Sequence, residues 1–154
     1  AICNGKPTVI DFYADWCESC KVMAPTMRQM EVMYGDRINF IAVDGTNPKN
    51  TALVDRFRVD GIPHVAMMLP STEVRTSLIG ALPKQVVEEE IAALAKGGDL
   101  PYEGMDPFAG ESHFALGESV QAKYCPTATN SSSRTNISVW FWMMKDPINQ
   151  LSLT

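Results

Sequence analysis

"ADWCESCK", residues 14–21, places two cysteines two residues apart, behind Trp16 and ahead of Lys21. Three chemistries use such a pair: a metal clip, a structural disulfide, or thiols that exchange electrons. A zinc site ordinarily needs a second CxxC, or two histidines at short spacing. Here the other cysteines, Cys3 and Cys125, are lone residues toward opposite ends of the chain, and His64 and His113 stand far apart. Four cysteines in 154 residues are also too sparse for a disulfide-dense scaffold. No metal and no cofactor is expected, and the flanking sequence favours redox exchange.

The segments around the pair read as alternating strands and helices. "TVIDFYA", 8–14, is β-branched and aromatic, a buried strand interrupted only by Asp11. From Glu18 to Tyr34, Val22, Met23, Met27, Met30 and Met33 recur at three- and four-residue steps and predict a helix, with Pro25 as a kink. Strands follow at 38–44, 64–70 and 73–80, with a short helix at 49–57 after the turn chemistry of "GTNPKN". The last two strands are joined by a short connection and should be antiparallel. "LPKQVVEEEIAALAKGG" predicts a final amphipathic helix capped by Gly97, its EEE run, 88–90, on the solvated face.

Cysteine attacks only as a thiolate, and a free thiol at a pKa of about 8.5 is mostly protonated near neutrality. Cys17 falls where a strand ends and a helix begins, so unpaired N–H groups and the positive helix end face its sulfur. Cys20 lies one turn along the same face, placed to resolve a mixed disulfide formed by Cys17. Asp11, six residues before Cys17 in a buried strand, should have a raised pKa and accept the Cys20 proton. The alternative for Asp11 is a strand-end carboxylate in contact with water. Glu18-Ser19 supplies no cation to stabilise the thiolate. The pair should therefore be reducing, nearer about −270 mV than the about −120 mV of a strong oxidant.

A net charge of −5 argues against a nucleic-acid surface. No apolar run approaches the roughly 18 residues that span a bilayer, and no signal peptide is visible. The organisation expected is a domain over 1–97 and an extended, largely irregular tail over 98–154, with "LPY", 100–102, docking on the domain. The apolar "ISVWFWMM", 137–144, and the sequons at Asn130 and Asn136 lie in that tail. Cys3 and Cys125 are open to a free state or to pairing, within or between chains.

Three motifs in order, "VIDFYADWCESCKVMAP", "GIPH" and "LIGALPKQVVEEEIAAL", resemble the thioredoxin family over residues 8–95. The resemblance implies an α/β thioredoxin-like fold, a central mixed sheet flanked by helices. It assigns Cys17 as nucleophile, Cys20 as resolving thiol and Asp11 as buried acid. Pro63 becomes a cis-proline, and Trp16, Ile62, Pro63 and Gly80 line a groove for an extended substrate strand. The chain departs from the family in "ES" between the cysteines and in His64 after the proline. His64 is open to tuning Cys17, to touching substrate, or to plain packing. The family's first strand and helix would precede residue 8 and are expected to be missing.

"NGKPTVIDFYADWCESC", "GIPH" and "LP…ALAKGGDLPY" further resemble the membrane-tethered thioredoxin-like proteins of chloroplast thylakoids and their cyanobacterial relatives. That resemblance implies a domain on the lumenal side of the thylakoid, anchored by a helix that this chain does not show. Electrons would come from a membrane thiol–disulfide transporter and pass to protein disulfides, apocytochrome cysteines among them. Two other readings stay open: an oxidase or isomerase of a secretory compartment, and a non-catalytic binding module whose CxxC only staples its helix.

Overall fold

A computed structural model describes residues 4–71, 73–102 and 104. Cys3, Cys125, the two sequons and the 137–144 segment lie outside the described residues. The element order is β1 (Thr8–Tyr13), α1 (Glu18–Tyr34), β2 (Asn39–Asp44), a 3-10 turn (Pro48–Asn50), α2 (Thr51–Arg56), β3 (His64–Met68), β4 (Val74–Ile79) and α3 (Lys84–Lys96). Among the described residues the sheet runs β2-β1-β3-β4. β1 is parallel to β2 and antiparallel to β3, and β3 is antiparallel to β4. The expected mixed sheet is present. No helix among the described residues is long and apolar enough to cross a membrane.

β1 is an inner strand with every residue buried, which explains an apolar run without polar alternation. Its odd-numbered side is the side covered by α1 and α3. There Val9, Val65, Met67 and Leu78 pack with Met23, Met27 and Met30 of α1 and with Val87, Ile91 and Leu94 of α3. On the opposite face Ile10, Phe12, Ala66 and Met68 meet Leu53 and Phe57 of the α2 segment. The Phe12 and Phe57 rings lie 5.4 Å apart at a tilt. α1 passes through Pro25 as one helix. Two residues of the periodic set that predicts this helix face solvent, Val22 at 76% and Met33 at 51% exposure. Both are off the buried stripe that Met23, Met27 and Met30 form at helical spacing.

The EEE run is a correction. Glu88 and Glu89 border solvent, but Glu90 is fully buried. Glu90 stands three residues after Val87 and four before Leu94, on the stripe of α3 that meets the core. It is tolerated there because its Oε1 accepts the Tyr102 N–H at 2.6 Å. The Tyr102 hydroxyl donates to Glu89 at 2.6 Å, and Leu100 packs against the core. "LPY" therefore docks on α3, as expected, and its anchor is a carboxylate assigned to the surface from the sequence. Gly97 ends α3 in the left-handed region, φ +67°, and turns the chain back toward this contact.

Burial raises the Glu90 pKa, only partly offset by the Tyr102 hydrogen bond. A folded pKa above the unfolded value, about 4.3, makes this group's stabilising contribution complete below that value and lost as pH rises through the folded pKa. Glu90→Gln, which keeps an acceptor for Tyr102 but does not ionise, should therefore gain stability relative to wild type between pH 4 and 8, measured by urea unfolding. Glu90→Ala, which strands the Tyr102 N–H, should cost about 1–3 kcal/mol.

Candidate active site

The site begins where β1 stops. Ala14-Asp15-Trp16 turns the chain, closed by the Cys17 N–H donating to the Ala14 carbonyl at 3.0 Å. Cys17 is extended, φ −79° and ψ 101°, and forms the N-cap of α1. Its sulfur takes the place a Ser or Asp oxygen usually fills, accepting the Cys20 N–H at 3.2 Å. One helical turn then brings the two Cα atoms to 5.3 Å, and the sulfurs are joined in a disulfide. In the first turn Glu18 is paired with Lys21 at 3.0 Å, so the one cation close to the motif in sequence is held on a carboxylate.

Exposure differs sharply across the motif. Trp16 is 70% exposed, Cys17 5% and Cys20 1%. The two sulfur-bearing residues form a small buried cluster with Tyr13 and Ala14, against which Ala42 and Ile62 pack. Ile62 arrives from the turn before β3, where the Ile62–Pro63 peptide is cis. The Pro63 carbonyl accepts the Gly80 N–H at 2.8 Å, tying this turn to the end of β4. Gly80 has φ +95°, a conformation that a side chain would strain. The fold thus gathers Cys17, Ile62, Pro63 and Gly80 at one end of the sheet, with Trp16 as the exposed neighbour of Cys17.

Asp11 lies below this end. It is 2% exposed, on the same side of β1 as Val9 and Tyr13, and it pairs with Ala42, a residue that packs against the cysteine cluster. Its Oδ1 has no hydrogen-bond partner, and desolvation pushes its pKa up to about 7. The strand-end, water-exposed alternative is excluded.

His64 belongs to the other face. It pairs with Phe12 across β3 and β1, and its ring meets the Phe12 ring edge-on at 5.6 Å. It is fully buried, and neither ring nitrogen has a partner among the described residues. Burial lowers its pKa, with Asp60 opposing. Of its three readings, packing is the one this placement supports. Tyr13 is the residue that sequence reasoning passed over. It touches the disulfide cluster, and its hydroxyl pKa is raised by burial and by Asp44, Asp15 and Asp11. The available signal was its position two residues after Asp11, on the same side of the strand.

The thioredoxin family model matches residues 1–93. The thioredoxin-like protein HCF164, chloroplastic, of Oryza sativa is 43% identical over 97 residues, 63% of this chain and 37% of that protein. The thiol:disulfide interchange protein TxlA homolog of Synechocystis is 40% identical over 102 residues, 66% of this chain and 57% of that protein. The chain spans about two fifths of the plant relatives it matches. Among solved structures, the Drosophila thioredoxin Deadhead superposes with a TM-score of 0.54 at 25% identity, covering 60% of this chain and 84% of that one. A disulfide at the head of a helix, a cis-proline turn tied to a glycine, and a family match over most of the described residues agree: the chain belongs to the thioredoxin family and carries that family's disulfide-capable CxxC pair, Cys17–Cys20.

Proposed function

We propose that the chain is a protein-disulfide reductase, and the observation that carries this is the Cys17–Cys20 disulfide seated as the N-cap of α1. In the reduced form the Cys20 N–H and the helix end stabilise a Cys17 thiolate. That thiolate attacks one sulfur of a substrate disulfide, forming a mixed disulfide and releasing the other substrate sulfur as a thiolate. Cys20 gives its proton to the Asp11 carboxylate and attacks the Cys17 sulfur. The second substrate thiolate leaves, and the Cys17–Cys20 disulfide closes again. Two electrons have passed from the dithiol to the substrate. A second dithiol must then reduce the pair.

The substrate segment lies extended across Trp16, Ile62, Pro63 and Gly80, pairing with the backbone of the Pro63 turn. Similarity to HCF164 and TxlA supports a place in a chloroplast or a cyanobacterium. The finer reading is a domain tethered at the lumenal side of the thylakoid. Its dithiol would be restored by a membrane thiol–disulfide transporter and spent on protein disulfides such as those of apocytochromes. The acidic Glu18, paired with Lys21 and offering the sulfurs no free cation, supports a reductant over an oxidase or isomerase.

Cys17→Ser should abolish insulin reduction, whereas Cys20→Ser should leave covalent mixed disulfides that non-reducing gels of a thylakoid extract display. A Cys17→Ser variant with full activity would sink the reading. The Asp11 pKa of about 7 sets the pH limb of the second step. Asp11 is an effective proton acceptor only when ionised, so resolution of the mixed disulfide should accelerate as pH rises through about 7. Asp11→Asn should lose that limb and slow resolution about a hundredfold near pH 8, read by stopped-flow.

A further inference from the structure

Beside the Pro63 turn lies a cavity of about 590 Å³, lined by Asp60, Gly61, Ser77, Ile79, Leu82 and Gly104 among others. We propose that this cavity is a subsite for a cationic side chain, Lys or Arg, flanking the disulfide of the substrate polypeptide, with Asp60 its recognition group. The proposal deepens the reductase reading and rests on it.

Position comes first. Gly61 directly precedes Ile62–Pro63, and Ile79 directly precedes Gly80, whose N–H is bonded to the Pro63 carbonyl. The cavity therefore opens next to the turn across which an extended substrate would run. Successive residues of such a strand advance about 3.3 Å and alternate in direction. A residue close to the reacting cysteine in sequence is then carried over this opening.

Chemistry comes second. Leu78, Ile79 and Leu82 give the cavity apolar walls, and Asp60, which is exposed, is its one titratable lining residue among the described residues. Apolar walls below a carboxylate suit a side chain with a long hydrocarbon stem and a charged head. Ser77 also lines the cavity; it is 1% exposed, and its hydroxyl has no hydrogen-bond partner in the structure. That hydroxyl is closed off from solvent, so recognition of a charged head falls to Asp60. A bare metal ion is a poor fit for a single carboxylate. No group of three or more potential metal ligands occurs among the described residues.

Charge comes third. Asp15 and Glu18 are exposed on either side of Cys17, and Lys21 is bonded to Glu18. The face that meets substrate is thus acidic on both the cysteine side and the Asp60 side. It selects a basic partner and repels an acidic one.

The test uses the full chain in its reduced form and three synthetic peptides with the same disulfide loop, flanked by lysines, by glutamates or by glutamines. Wild type should reduce the lysine peptide in a single turnover with a second-order rate constant about five- to tenfold above that for the glutamate peptide at low salt, and lose most of that preference at roughly 0.5 M salt. Asp60→Asn should shrink the preference about threefold, as expected for one exposed charge pair, and Asp60→Lys should reverse it. Asp36→Asn makes the same change in net charge at the far end of α1, beside Arg37, and should leave the preference intact. Equal rates on the two charged peptides would overturn the proposal, as would a preference unchanged by Asp60→Asn or equally lost in Asp36→Asn. Failure of wild type to reduce even the glutamine peptide would overturn the reductase reading itself.

Discussion

A sulfur acting as a helix cap is the contact on which the rest depends. Because Cys17 ends the turn after β1 in an extended conformation, its side chain folds over the first turn of α1 and meets the Cys20 N–H. The same N–H that caps the helix in the disulfide form is placed to stabilise a thiolate in the dithiol form. β1 holds this geometry firmly, since it is hydrogen-bonded on both sides, to β2 and to β3.

Around that contact the fold tolerates several polar groups that a purely structural core would exclude. Asp11 is buried with one oxygen unpartnered, and its raised pKa measures the desolvation it suffers. An orphaned buried carboxylate, paired across the sheet with a residue that packs on the cysteine cluster, is a cost to the domain's stability. His64 illustrates the opposite case. It is as deeply buried as Asp11, but on the other side of the sheet against Phe12. The two buried titratable groups thus differ in the face of the sheet they occupy.

The end of the described chain also contributes to the site's surroundings. Glu90 and Glu89 hold Tyr102, and Gly104 reaches the cavity beside the Pro63 turn. The described residues after α3 thus reach from that helix to the cavity beside the Pro63 turn. The exposed acids of this end are Asp15 and Asp60 outside the helices and strands and Glu18 in the first turn of α1.

Much of this was legible in the sequence because the signals are local. Periodicity fixed α1 over its whole length, the buried strands followed from β-branched and aromatic runs, and the CxxC at a strand–helix junction named its own chemistry. What periodicity could not supply was which groups face one another across elements. Glu90 looked like a solvated residue in an acidic run until the packing of α3 and the return of Tyr102 enclosed it. Val22 and Met33 belong to the periodic set of α1, yet the helix's orientation turns them outward. Asp11 was suspect from sequence, but its two readings separated only when β1 proved to be an inner strand. The sequence by itself determined the redox pair, because a thiol's neighbours within one helical turn are its neighbours in the chain. The tertiary structure decided the setting of Asp11, the His64 side and the Asp60 cavity, because burial and electrostatics are set by residues distant in sequence and close in space.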